Sequence, residues 1–167
     1  MNIIIRPETG ADHDAIEALT MAAFLNAPHT DHNEQRIVRD LRQAGALSLS
    51  LVAEQERRVV GHLCFSPVTI SDGCLHWYGL GPISVSPELQ GKGLGSRLME
   101  VGLAELKGMG AAGCVVLGDP GFYGRFGFVS EPGLTLPGVP AEYFMARSFG
   151  AAMPRGEVCY HPAFVQA

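Results

Sequence analysis

With 167 residues, the chain is long enough for one domain with a substantial core and short for two. Hydrophobic residues supply 47% of it and charged residues 17%, which excludes a disordered chain. The formal net charge of −5 argues against nucleic acid as a partner, since nonspecific binding needs a basic surface to displace counterions.

In chain order, Ile3 to Arg6 reads as a short strand. Asp12 is placed to N-cap a helix that carries Ile16, Leu19, Ala23 and Phe24 on one face. "LNAPHTDHN" then breaks the pattern, and Glu34 to Gln43 reads as a second helix with Ile37, Val38 and Leu41 inward and Gly45 just past its end. Strands are predicted at Leu49 to Glu54, Arg58 to Ile70 and Leu75 to Val85, the last two joined as a hairpin through "SDGC". A helix after the glycines of "QGKGLG" runs to about Gly110 and buries Leu98, Val101, Leu103 and Leu106. "CVVLGDP" is a short apolar strand, "FYGRFGF" follows, and "EYFMARSF" and "GEVCYHPAF" read as two further strands.

The predicted order is β-α-α-β-β-β-α-β-(short α)-β-β, a single α+β domain over residues 1–167 built on one mixed sheet. No apolar run approaches the ~20 residues of a membrane span, and the three isoleucines before Arg6 are too few for a signal-peptide core. The expectation is a cytoplasmic protein with no membrane partner. The four cysteines include no C-x-x-C pair, so neither zinc nor a disulfide framework is expected. Cys64, Cys114 and Cys159 sit in apolar runs and read as buried reduced thiols.

Gly91, Gly93 and Gly95 alternate immediately before a helix. They fit neither the dinucleotide pattern, which would put its third glycine at Ser96 or Leu98, nor the P-loop, because Lys92 sits between the first two glycines. Glycine permits the positive φ angles that turn successive N–H groups toward one point, and a helix start adds unpaired donors and partial positive charge. "QGKGLGS" therefore reads as a pyrophosphate cradle, with Lys92 and Arg97 as candidate cationic help. Upstream, Gly81 and Pro82 interrupt the strand "GLGPISV", and proline there marks an edge or a bulge that frees the N–H groups of Ile83 and Val85.

"ISVSPELQGKGLGSRLM" follows the Val-x-Pro-x-x-Gln-x-x-Gly-x-Gly signature, and "FYGRFGF" the Tyr-x-x-x-Gly-Phe signature, of the GNAT superfamily of N-acetyltransferases, which the chain resembles over residues 2–165. "GPISVSPELQGKGLG" with "LGDPGFYGRFGF" is similar to the family's YhbS-like branch. The resemblance implies a mixed sheet splayed at its central strand with helices on both faces. It also implies acetyl-CoA as cosubstrate, with the pyrophosphate on the N–H groups of Gln90, Gly91, Lys92, Gly93, Leu94, Gly95 and Ser96. The pantetheine arm would pair with Ile83, Ser84 and Val85, the Ile83 N–H would serve as oxyanion donor, and Tyr123 would protonate the departing thiolate. The acceptor implied is a primary amine of a small molecule or peptide.

The sequence departs from the family pattern in two places. Where many members carry a glutamate on the central strand, "LHWYGLGP" has no acid, leaving His76, Tyr78, a water relay or a neutral substrate as alternatives for the base. In "LGDPGFY", Asp119 is placed to cap the short helix. His29, Asp31 and His32 in "PHTDHN" read as a solvated loop rather than a metal site. A non-catalytic acyl-CoA sensor is the alternative to an enzyme. For assembly, a homodimer through the edge of "EVCYHPAF" and a capped monomer both stay open.

Overall fold

Neighbouring residues on the central strands divide between two cores. The computed structural model, which describes residues 2–27, 30 and 32–164, puts Leu51, Ala53, Leu63 and Phe65 against one helix and Val52 and Cys64 against two others. This is the period-two alternation of strands buried on both faces. The strands are β1 (Ile3–Pro7), β2 (Leu49–Gln55), β3 (Arg58–Pro67), β4 (Thr69–Ile70), β5 (Trp77–Val85), β6 (Gly113–Leu117), β7 (Leu134–Thr135), β8 (Phe144–Ser148) and β9 (Gly156–Cys159). The helices are α1 (His13–Phe24), α2 (Glu34–Gln43), α3 (Leu94–Gly108) and the single turn α4 (Pro120–Tyr123). Leu98, Met99, Leu103 and Leu106 bury α3 on one face of the sheet, and Ile16, Ile37, Val38 and Leu41 bury α1 and α2 on the other.

The main sheet runs β1-β2-β3-β5-β6-β8 and is mixed, with β5 and β6 its parallel pair. That pairing is brief: Trp77, Tyr78 and Gly79 face Gly113, Cys114 and Val115, and beyond them the strands part. Against β3, Leu63 pairs with Ile83 and Phe65 with Leu80, so Gly81 and Pro82 share the place opposite Cys64. The extra residue is a bulge, which bends β5 away from β6. The fork lies where the sequence put the interruption.

Several expectations are corrected. The segment Arg58 to Ile70 is two strands, because Pro67 has no N–H and the ladder to β5 ends with Val68 N–H on the Trp77 carbonyl (3.0 Å). β4 leaves for a second sheet, β4-β9-β7, so the described residues form two sheets and the Asp72–Gly73 turn connects strands of different sheets. Strand β5 starts at Trp77 rather than Leu75. β9 is the middle strand of the small sheet, paired with β4 and β7, so "EVCYHPAF" offers no free edge of the kind expected for a dimer. Asp12 precedes α1, but its carboxylate turns back to accept from the Thr9 N–H (2.7 Å) and from Arg6 (2.7 and 3.0 Å). Cys64 and Cys114 are buried as read, whereas Cys159 is exposed because it alternates with buried Val158 on β9. Among the described residues, no helix is long and apolar enough to cross a membrane.

Candidate functional site

Chain geometry builds the glycine loop. A 3-10 turn over Pro87–Leu89 leads into Gln90, whose side-chain amide donates to the Val85 carbonyl (3.0 Å) and ties the loop to the end of β5. Gly91 and Gly93 take φ of +76° and +89°, and Gly93 is the left-handed N-cap of α3. No side chain caps this helix, so Leu94, Gly95 and Ser96 present the orphan N–H donors that every helix start leaves. Gly95 is the informative glycine. Its φ is not in the left-handed region, and a Cβ there would meet nothing closer than 3.8 Å. The fold itself therefore does not require glycine at 95, while a ligand lying on the helix start would. The loop borders a cleft of about 400 Å³, completed by Val85, Phe122 and Arg125.

From this cleft the open edge of β5 leads to a larger cavity. Ser86 N–H donates to the Val60 carbonyl (2.8 Å) and Ser84 pairs with His62, so by strand alternation Ile83 and Val85 turn their N–H groups away from β3. They face the side where β6 has departed. Ile83 lines a cavity of about 940 Å³, together with Leu80, the Gly81–Pro82 bulge, Leu117 and Tyr123. Tyr123 ends α4, which Asp119 caps by accepting from the Gly121 N–H (3.0 Å). Its ring meets Phe122 and Phe128 edge to face, at 5.0 and 6.2 Å. Burial, aided by nearby Cys114 and Asp119, pushes its phenol up to about 12, so it keeps its proton at neutral pH. Tyr160 packs on Gly79, the last β5 residue paired with β6: a Cβ there would come within 2.6 Å of its ring. Its buried hydroxyl has no hydrogen-bond partner among the described residues. The loop, open strand edge and phenol are what an extended thioester carrying a pyrophosphate needs from the protein, so the residues present fit acetyl-CoA.

The acetyltransferase (GNAT) family model matches residues 13–128 of the chain. The chain belongs to the GNAT acetyltransferase family. The acetyltransferase is 39% identical over 127 residues to the uncharacterized N-acetyltransferase YhbS of Escherichia coli (strain K12), covering 75% of this chain and 73% of that one. The crystal structure of a GNAT family acetyltransferase from Brucella melitensis in complex with acetyl-CoA matches with a TM-score of 0.88 at 46% identity, over 98% of this chain and 99% of that one. Escherichia coli YhbS in complex with CoA matches at 0.87 and 34% identity, over 98% and 92% of the two chains.

The structure of this acetyltransferase brings some candidate residues together and separates others. Ile83 and Tyr123 share the cavity, while Val85, Gln90, Gly91, Gly93, Leu94, Gly95 and Ser96 share the cleft. The Gln90 N–H already makes a long bond to the Pro87 carbonyl (3.4 Å), and the Ser84 side chain is buried. Lys92 is exposed and does not line the cleft, and Arg97 is tied to the Ile3 carbonyl (3.2 Å). Among the described residues the cation that lines the cleft is Arg125, which reaches Ser96 Oγ (3.4 Å) and lies over the rings of Phe122 and Phe126 at 5.0 and 5.7 Å. Sequence reasoning missed it, although it stands inside "FYGRFGF", two residues from Tyr123.

The proposed base His76 is corrected by the geometry. It is exposed, with φ +67°, and its carbonyl accepts from Ala112 N–H at the end where β5 and β6 are still joined. It lies seven positions before Ile83, roughly 23 Å at ~3.3 Å per residue, and it does not line the cavity. Tyr78 packs against the α3-side core instead. His32 is exposed with φ +57°, and His29 and Asp31 lie outside the described residues.

Proposed function

We propose that this protein moves the acetyl group of acetyl-CoA to a primary amine of a small molecule or peptide, by direct attack of the amine on the thioester. One observation carries the reading: the open edge of β5 runs from the glycine cleft, at Val85, to the large cavity, at Ile83, where Tyr123 stands. Acetyl-CoA supplies an activated acetyl group whose thiol is a good leaving group.

The N–H groups of Leu94, Gly95 and Ser96 and the positive end of α3 hold the pyrophosphate, with Arg125 beside them. Ile83 and Val85 pair with the pantetheine amides as an added strand would. The Ile83 N–H meets the carbonyl oxygen, where a fixed donor lowers the barrier by a few kcal/mol (~2.7–4). Tyr123, protonated at neutral pH, gives its proton to the departing sulfur.

The lack of any acid over residues 75–82 favours a second reading, an acyl-CoA-binding sensor without chemistry. Thiol release from acetyl-CoA in the presence of a pool of amines separates the two. The enzyme reading expects amine-dependent release, with turnover down about 100-fold in Tyr123→Phe at unchanged acetyl-CoA affinity. Binding without any release supports the sensor, and full turnover in Tyr123→Phe removes Tyr123 as the acid.

A further inference from the structure

Beyond the fork the large cavity is walled by apolar side chains from distant parts of the chain, among them Phe24, Ile37, Leu136, Val139 and Phe164. Its charged lining groups are both acids, Glu34 at the start of α2 and Glu157 on β9, and no Lys, Arg or His lines it among the described residues. Glu157 is exposed at the rim. Glu34 reaches inward: its Oε2 accepts from the Thr30 hydroxyl (2.5 Å), and its Oε1 is buried with no hydrogen-bond partner among the described residues.

That oxygen differs from the carboxylates of Asp12 and Glu8. Asp12 is held by Arg6 at 2.7 and 3.0 Å, and Glu8 by Arg42 at 3.0 and 3.1 Å. A carboxylate oxygen withdrawn from water and left without a donor is costly. The first turn of α2 eases the charge of Glu34, but no described residue gives Oε1 a donor. A cationic group in the cavity would supply one. Position matters as much as charge, since α2 packs against β5 and Glu34 shares its cavity with Ile83 and Tyr123.

We propose that the acceptor is a cationic amine on an apolar body, with no carboxylate beside the amine, and that Glu34 binds its ammonium group and takes its proton. The assignment rests on the acetyltransferase reading above, and it supplies the base that β5 lacks. The ammonium gives one proton to Glu34, which passes it to solvent. The freed nitrogen lone pair then forms the N–C bond as the C–S bond breaks. The nitrogen's second proton balances the one that Tyr123 gives to sulfur, leaving amide, free thiol and one released proton. The apolar walls take the body of the acceptor, and two acids without a nearby base disfavour an acceptor carrying its own carboxylate.

The test compares phenethylamine, phenylalaninamide, phenylalanine and 2-aminoethanol as acceptors for acetyl-CoA, in the wild type and Glu34→Gln. Phenethylamine and phenylalaninamide should exceed phenylalanine and 2-aminoethanol in kcat/KM by about tenfold or more, and Glu34→Gln should erase about tenfold of that rate, the scale of one charge-assisted hydrogen bond. Acetyl-CoA affinity and the melting temperature of Glu34→Gln should stay as in the wild type, which separates a lost acceptor contact from a damaged fold. Phenylalanine matching phenethylamine overturns the proposal, as does unaltered acceptor kinetics in Glu34→Gln. Acetyl-CoA binding with neither transfer to the two apolar amines nor a melting shift from them overturns it too. Failure to bind acetyl-CoA at all instead overturns the reading beneath it.

Discussion

The glycine cleft and the large cavity lie along the same edge of β5, at Val85 and at Ile83, and they are built by different means. The cleft works through backbone: two left-handed glycines, a helix start and a third glycine that leaves room. The cavity is built of side chains, apolar except for Glu34, Glu157, a few hydroxyls and the Cys159 thiol, with elements as distant as α1, α2, β4, β9 and the loop after β7 meeting β5, β6 and α4 there. A backbone device needs only a short run of the right residues and serves a ligand part that never varies. A side-chain device is assembled by folding and can change with the acceptor.

This contrast leads to predictions in which each region fails in its own way. The largest expected effect is Tyr123→Phe, which should lower turnover by about 100-fold while a calorimetric titration still gives the wild-type Kd for acetyl-CoA. Next is Gly93→Val. A β-branched residue at φ +89° carries about 1–2 kcal/mol of backbone strain, and its side chain stands at the cradle. The titration should therefore show Kd raised by roughly tenfold or more.

Gly95→Ala is smaller in effect and sharper in meaning. Alanine within the first turn of α3 favours the helix by up to about 0.5–1 kcal/mol, so Tm should hold or rise while acetyl-CoA binds several-fold more weakly. If affinity rose together with stability, the third glycine would have no ligand to accommodate.

The smallest functional effect belongs to the polar network beneath β2 and β3, which serves neither region. His62 is fully buried there, its Nε2 2.9 Å from Ser50 Oγ, and burial brings its pKa down to about 4 against the opposing pull of Glu8. The unfolded chain binds a proton on this histidine that the folded one refuses. Its stabilising contribution is thus complete above about pH 6.5 and is lost as pH falls toward about 4, on the order of 3 kcal/mol in all. Denaturant unfolding across that range should show a shallower loss of stability in His62→Gln than in the wild type, with acetyl-CoA affinity at neutral pH unchanged.

The same contrast explains how much could be read in advance. The loop, the bulge at Gly81–Pro82 and the buried faces of α2 and α3 were legible because each is a local pattern with a local physical cause. The small sheet was not, because β4 and β7 have two residues each and Pro67, which separates β4 from β3, sits within a run that otherwise reads as one strand. His76 looked usable because residue spacing does not say which end of a strand is open. Glu34 was overlooked for the opposite reason: an acid in a first helical turn already has a reason to be there, and only the folded chain shows that one of its oxygens is buried at a cavity with no partner among the described residues. Arg125 was masked in the same way by the aromatic residues around it.

The most direct test of this division of labour is one crossed measurement, in which acetyl-CoA Kd and acceptor KM are determined side by side for Gly95→Ala and Glu34→Gln with phenethylamine as acceptor. The account predicts that Gly95→Ala weakens acetyl-CoA and leaves the acceptor KM unchanged, and that Glu34→Gln does the reverse. Both variants shifting both constants together would contradict it, because cleft and cavity would then be a single site.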